Sequence, residues 1–270
     1  MTGPVALRDA GDESMFGGKA AHLALAAAAA LPVPDGIALP WPVAEAIAGG
    51  DPDVTSLLAA AAPRRVLLAV RSSAVGEDSE LASFAGQHLT LLGVTAARLV
   101  DAVARVSRSV HDERALAYRR QLGMIRAPRA GVVVQTMVSA SVGGVLFRPH
   151  PLTGADEIVI EGSWGLGESV VDGLVTPDRF RLSPAGDVLE RHAGAKDVEV
   201  VLAPGGGTGR RAITGGRVVE LCLDDSRLAA LHRLAVACQA RFGGGAQDLE
   251  WAFAGERLWL LQWRPAREAA

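Results

Sequence analysis

Apolar positions along the chain fall into two spacings. Leu99, Val103, Val106 and Val110 recur at three and four residues, which predicts one helical face over residues 96–122. Leu228, Leu231, Ala235, Cys238 and Phe242 do the same, with Asp225 or Ser226 available as cap and Gly243-Gly244-Gly245 as stop. Residues 65–72 (RVLLAVRS) are a near-continuous apolar run, which predicts a buried strand. Further strands are predicted at 5–7, 37–39, 89–94, 131–138, 142–147, 157–161, 179–182, 198–202 and 218–222. An alanine- and leucine-rich helix opens at Gly17-Gly18-Lys19 and is predicted to end near Leu31, before a Pro/Gly turn cluster. Short helices are predicted from there to about residue 62. Residues 73–86 carry Glu77, Asp78 and Glu80 among small residues without a period, and read as a loop. A hairpin closes the chain, with strands at 248–253 and 258–263 around Ala254-Gly255. The mixture is α+β, strands dominating the second half. A connector at 126–129, around Pro128, divides it into an N-terminal lobe, 1–126, and a C-terminal lobe, 127–270.

Composition narrows the partners. With 270 residues, 49% of them apolar, the chain can bury a sizeable core in one large domain or two lobes. A net charge of −3 provides no basic field for nucleic acid or anionic lipid. The longest apolar stretch, residues 23–31, is too short to cross a bilayer, and no leader pattern opens the sequence. The expectation is a soluble cytoplasmic protein with no nucleic-acid or membrane partner. Cys222 and Cys238 are too few for a disulfide framework or a four-cysteine zinc site, and Cys238 reads as a buried small hydrophobe. Lys19 and Lys196 are the only lysines.

The hairpin carries the most chemistry. Asp248 and Glu250 are two apart and share a strand face, as do Gln262 and Arg264. A turn centred near Gly255 sets Glu250 opposite Leu260 and Asp248 opposite Gln262. Carboxylates with an amide oxygen suit a hard cation such as Mg²⁺, and an arginine beside them suits a phosphate. The same pattern also fits a solvated face with cross-strand salt bridges. Gly17-Gly18-Lys19 at a helix start is an anion-site pattern without the full Walker spacing, and also fits an ordinary loop. Arg71, at the end of a buried strand, needs an ion pair or a bound anion. The GLGE loop at 165–168 allows close backbone approach to a ligand. Trp251, Trp259 and Trp263 read as core. The six histidines, His22, His88, His111, His150, His192 and His232, form no zinc motif, and no G-x-S-x-G elbow argues for hydrolysis.

Taken together, GGKAAHLALA from Gly17, LAVRSSAVGEDSELASFAGQ, VVVQTMVSASVGGVLFRPHPLTG, IVIEGSWGLGESVVDGLVTPDRF, QDLEWAF and LWLLQWRP resemble, in order, one family's motifs. It is the N-terminal ATP-binding domain of phosphoenolpyruvate synthase, pyruvate phosphate dikinase and rifampicin phosphotransferase. The resemblance implies an ATP-grasp fold of two lobes holding nucleotide, with ATP and Mg²⁺ as cofactors. Lys19, Arg71 and Arg264 resemble phosphate-contacting residues, and Glu250 and Gln262 the magnesium ligands. Asp248 resembles their neighbour at the phosphates. Gln135, Thr136, Met137 and Val138 resemble the strand beside adenine. Glu161, Gly165, Gly167 and Glu168 fall where the family borders the nucleotide. The family's G-K-G-A reads Gly18-Lys19-Ala20-Ala21 here, and its Asp-Pro turn reads His150-Pro151. None of the six histidines has the family's phosphohistidine context. The implied activity is therefore a stand-alone phosphotransferase component that phosphorylates a histidine on a separate carrier protein, converting ATP to AMP and phosphate, for delivery to a small-molecule acceptor. Alternatives are an ATP-grasp kinase or ligase acting directly on a small molecule, or a non-catalytic nucleotide-binding module.

Overall fold

The computed structural model describes residues 3–62, 66–76, 89–121, 127–243 and 247–265. The chain divides into two compact units, the first made of Met1–Ala28, Pro34–Met137 and Leu202–Gly207, the second of Ala29–Val33, Val138–Val201 and Thr208–Ala270.

In the first unit, β1 (Val5–Ala6), β2 (Gly36–Leu39), β3 (Leu68–Ala74), β4 (Thr90–Val94) and β5 (Ala130–Thr136) form one sheet in the order β1-β2-β5-β3-β4. Every neighbouring pair is antiparallel. The helices are α1 (Glu13–Phe16), α2 (Gly18–Ala28), α3 (Trp41–Gly49), α4 (Pro52–Ala61), α5 (Leu99–Ser109) and α6 (Glu113–Gln121). β3 is buried throughout its length, which accounts for its unbroken apolar run. Leu39, Val43, Ile47, Leu58, Val70 and Val103 belong to one core cluster.

Several boundaries differ from expectation. The alanine-rich helix ends at Ala28, and α1 precedes it, capped by Asp12, whose carboxylate accepts from the Ser14 N–H. The predicted 96–122 helix is broken. A 3₁₀ turn at Ala96–Arg98 leads into α5, and α6 begins only at Glu113. At the break the N–H groups of His111 and Asp112 bond three residues back, to Arg108 and Ser109, which tightens the turn and ends the α-helical ladder. The four stripe residues are nevertheless all buried. β3 runs on through Ser73 and Ala74 because they pair with Gly131 and Ala130, so the predicted loop starts later. Arg71 accordingly lies inside the strand, not at its end. Glu77, Asp78, Glu80 and His88 lie outside the described residues, as does Arg126 of the connector. β5 ends at Thr136, leaving Met137 and Val138 beyond it.

The second unit is built on β6 (Val142–Arg148), β7 (Ile158–Trp164), β8 (Asp178–Leu182), β9 (Val188–His192), β12 (Gln247–Ala254) and β13 (Arg257–Pro265). They form an antiparallel sheet in the order β13-β12-β6-β7-β8-β9. β10 (Val198–Leu202) pairs with β11 (Thr208–Ala212), and the helices are α7 (Glu168–Val171) and α8 (Asp225–Phe242). One sheet face is apolar, with Leu146, Ile160, Phe180, Leu249 and Trp251 all buried. Trp263 shares it and meets Phe242 of α8 at 4.3 Å between ring centroids. Trp259 departs from expectation: it pairs with Ala252 on the opposite face, where Arg257 stacks over its ring.

α8 is capped by Asp224, whose carboxylate accepts from the Arg227 N–H, rather than by Asp225 or Ser226. β9 and β11 were not anticipated. Most of their residues are exposed, so no apolar alternation marks them. Residues 218–222 are not a strand. Their backbone is engaged otherwise, the Val218 carbonyl accepting from the Lys196 N–H and the Cys222 N–H donating to Asp178. Both Asp178 and Lys196 are 0% exposed and ion-paired, and Asp178 also accepts from the Gly194 N–H. Cys222 and Cys238 are free and buried. Burial pushes the Cys238 thiol up to about 12, and raises that of Cys222 together with the neighbouring Asp178 charge.

Candidate active site

The expected hairpin register is corrected by one residue next to the turn and by two at Glu250 and Asp248. Ala254 pairs with Arg257, Phe253 with Leu258, Ala252 with Trp259 and Trp251 with Leu260. A bulge then shifts the ladder, so Glu250 lies opposite Gln262 and Asp248 opposite Arg264. Leu261 is the extra residue. Side chains alternate across a strand, so an unbroken ladder from this turn would have sent Gln262 and Arg264 to the apolar face. The bulge turns them back to the face of Asp248 and Glu250. Arg264 donates to Asp248 at 3.0 Å, and Gln262 is 4% exposed.

The same face continues across the sheet. Glu250 pairs with Val145, Val145 with Glu161, and Glu161 with Arg179. Directly opposed residues of a ladder project to one side, so Glu161 shares the face of Glu250 and Gln262. The side-chain carboxylates of Glu161 and Glu250 make no hydrogen bond or ion pair with any described residue. Among the described residues, no group of three or more His, Cys, Asp or Glu side chains could hold a metal ion. The Glu250 and Gln262 oxygens, directly opposed in the ladder, could serve a hard cation together with further ligands.

The loop at 165–168 lies against this part of the sheet. The Gly165 N–H donates to the Ser141 carbonyl and the Leu166 N–H to that of Val200. Gly165 has φ +77°, and a Cβ there would stand 2.3 Å from the Val200 oxygen. A side chain on Gly143 would collide with the Gly167 nitrogen at 2.7 Å. Glycine is thus required on both sides of the approach. Glu168 opens α7.

In the first unit, Lys19 is the second residue of α2 and Arg71 a buried residue of β3. They are joined by a residue that sequence reasoning missed. Ser73, two along from Arg71, accepts from the Ala20 N–H at 2.9 Å and so caps the helix that carries Lys19. No local pattern signals this bond, whose partners are 53 residues apart. Gly17, at φ +81°, lets the backbones touch, since a Cβ there would lie 1.9 Å from the Ser73 oxygen. Gln135 is buried and donates from Nε2 to the Pro34 carbonyl at 3.0 Å. Thr136 is exposed, its N–H bonded to Asp35, and the Met137 N–H bonds to Leu67. Val138 belongs to the second unit, and its carbonyl accepts from Ala140. Structure therefore brings Asp248, Glu250, Gln262, Arg264 and Glu161 onto one face, and ties Lys19 and Arg71 through Ser73. No helix among the described residues is long and apolar enough to cross a membrane.

Comparison with known proteins agrees with these motifs. Residues 52–270 match the family model described as the pyruvate phosphate dikinase AMP/ATP-binding domain. Lys19 precedes the matched residues. Over 203 residues the chain is 39% identical to a probable phosphoenolpyruvate synthase of Methanothermobacter thermautotrophicus, covering 74% of this chain and 29% of that one. It is 39% identical over 204 residues to a rifampicin phosphotransferase of Streptomyces sviceus, covering 74% and 23%. Over 202 residues it is 42% identical to the prodigiosin synthesizing transferase PigC of Serratia marcescens, covering 73% and 22%. The chain thus spans about a quarter of the length of these relatives. With the family model covering most of its length, the chain belongs to the pyruvate phosphate dikinase AMP/ATP-binding domain family.

Proposed function

We propose that this chain is the ATP-grasp nucleotide-binding module of a phosphotransferase, using MgATP to phosphorylate a histidine on a separate carrier protein. The observation that carries the reading is the single sheet face bearing Asp248, Glu250, Gln262 and Arg264. Glu250 and Gln262 fit a hard cation. They are directly opposed on neighbouring strands, about 5 Å apart at Cα, and offer two oxygens that leave other positions for water and phosphate. Bound there, Mg²⁺ would supply Lewis-acid stabilisation of phosphate charge. Arg264, oriented by Asp248, presents a planar fork to a phosphoryl oxygen, while Lys19 and Arg71 add positive charge where negative charge develops. Gln135, Thr136, Met137 and Val138 border the adenine, and Glu161 with Gly165, Gly167 and Glu168 lines the nucleotide.

The carrier imidazole keeps the β-phosphoryl group, AMP leaves, one water is consumed and the γ-phosphate is released. The final acceptor is a small molecule. No side chain of this segment need act as nucleophile. The family membership supports the nucleotide, and the lack of a phosphohistidine motif around any of the six histidines supports an acceptor outside these residues. Incubation with β- and γ-labelled ATP, with and without a candidate carrier, tests this. Acid-labile β-label on the carrier and γ-label free in solution are expected. Label on a small molecule without any carrier would overturn the carrier reading, and no Mg²⁺-dependent ATP binding by the folded chain would overturn the whole.

A further inference from the structure

His150 stands in a turn closed by backbone bonds, its own N–H to the Ala155 carbonyl and its carbonyl accepting from Gly154. His150 is 7% exposed, and its imidazole is approached from two sides. Its Nδ1 faces the N–H groups of Leu152 and Thr153 at 3.2 and 3.3 Å. Its Nε2 lies 3.2 Å from Nη2 of Arg179. All three neighbours are donors. A neutral imidazole has one accepting lone pair and one N–H. Two backbone donors on Nδ1 assign it as the acceptor, so Nε2 carries the hydrogen and meets another donor.

Arg179 finds no relief elsewhere. Its Nε is buried and has no hydrogen-bond partner. Glu161, its opposed neighbour in the ladder, makes no ion pair with it, and no other described residue accepts a hydrogen bond from its guanidinium. The neighbouring Arg181 differs, gripping Glu157 with two bonds of 2.9 Å and Glu190 with one of 2.8 Å. Unpaired donors in a partly dry place are costly. Nε and Nη2 form one edge of the guanidinium fork, suited to two oxygens of one anion.

We propose that Arg179 and His150 form an oxyanion site for a phosphate group, on the sheet face that carries Glu161 and Glu250. The anion accepts from Nε and Nη2 of Arg179 and from Nε2 of His150, turning opposed donors into a three-donor cradle. The inference does not depend on the nucleotide reading, because inorganic phosphate is the probe.

The test is a titration of the full chain with inorganic phosphate, followed through the ¹⁵N resonances of the His150 ring. The expected result is the Nε2–H tautomer and a saturable shift on adding phosphate. Arg179→Gln and Arg179→Lys should weaken that shift at least about tenfold, in line with the loss of a charge-assisted fork. His150→Asp should abolish phosphate binding with an unchanged or raised Tm, because a carboxylate accepts both turn N–H groups and pairs with Arg179. Displacement of phosphate by MgATP would identify a nucleotide phosphate as the occupant, and undisturbed binding beside MgATP a free phosphate. Either supports the site. The Nδ1–H tautomer, absence of a phosphate-dependent shift, or full phosphate affinity in His150→Asp would overturn it.

Discussion

Glu250 stands directly opposite Gln262, four pairs from the hairpin turn, because β13 carries one more residue than β12 between them and that turn. Without that bulge the two side chains would point to opposite faces of the sheet. Their juxtaposition is the most specific geometric feature of the candidate site.

Glu250→Ala and Gln262→Ala should each remove Mg²⁺-dependent turnover by on the order of 10²-fold or more while leaving the fold intact. Calorimetry with and without Mg²⁺ separates the metal contribution from nucleotide binding. Wild-type activity of both variants with an authentic acceptor would refute the metal assignment.

Ser73→Ala should cost about 1 kcal/mol in urea unfolding, the usual value of a lost helix cap. Gly17→Ala should cost more, roughly 2–4 kcal/mol, because it meets both a left-handed φ and the Ser73 carbonyl. Equal effects of the two substitutions would contradict the close approach described.

The Asp178–Lys196 pair is a further stability test. Lys196→Met leaves a buried carboxylate with no cation beside it, bonded to the N–H groups of Gly194 and Cys222 and to the Cys222 thiol, and should cost about 3–5 kcal/mol. Combining it with Asp178→Asn should cost less than the sum of the single changes, since the uncompensated charge is then gone.

The α8 cap predicts a pH response. The backbone N–H of Arg227, with Ser226 beside it, holds the Asp224 carboxyl below its ordinary range. A folded-state value below the unfolded one stabilises above the unfolded value and is lost as pH falls through the folded value. The stability gap between wild type and Asp224→Ala should therefore be present at neutral pH and close in acid. Asp224→Asn, which caps without titrating, should lose none of its cap contribution there. Denaturation midpoints across the acid range distinguish the variants.

Much of this was legible in local pattern. The helical stripes of α5 and α8, the buried run of β3 and the two-residue spacings of Asp248 with Glu250 and Gln262 with Arg264 follow from periodicity, because side-chain direction is set by the chain's own geometry. Exposed strands such as β9 and β11 escaped, since apolar alternation records burial and they have little. What only tertiary structure decided are the meetings between distant segments. Register across a hairpin depends on whether a strand bulges, and a one-residue shift moves every later side chain to the other face. The bond from Ala20 to Ser73, the row from Gln262 through Glu250 to Glu161, and the contact of His150 with Arg179 each join stretches whose own sequences carry no mark of the other. Local composition specifies which groups a segment offers. Which groups face each other is a property of the packed sheet, where ladder pairing over many residues sets the distances.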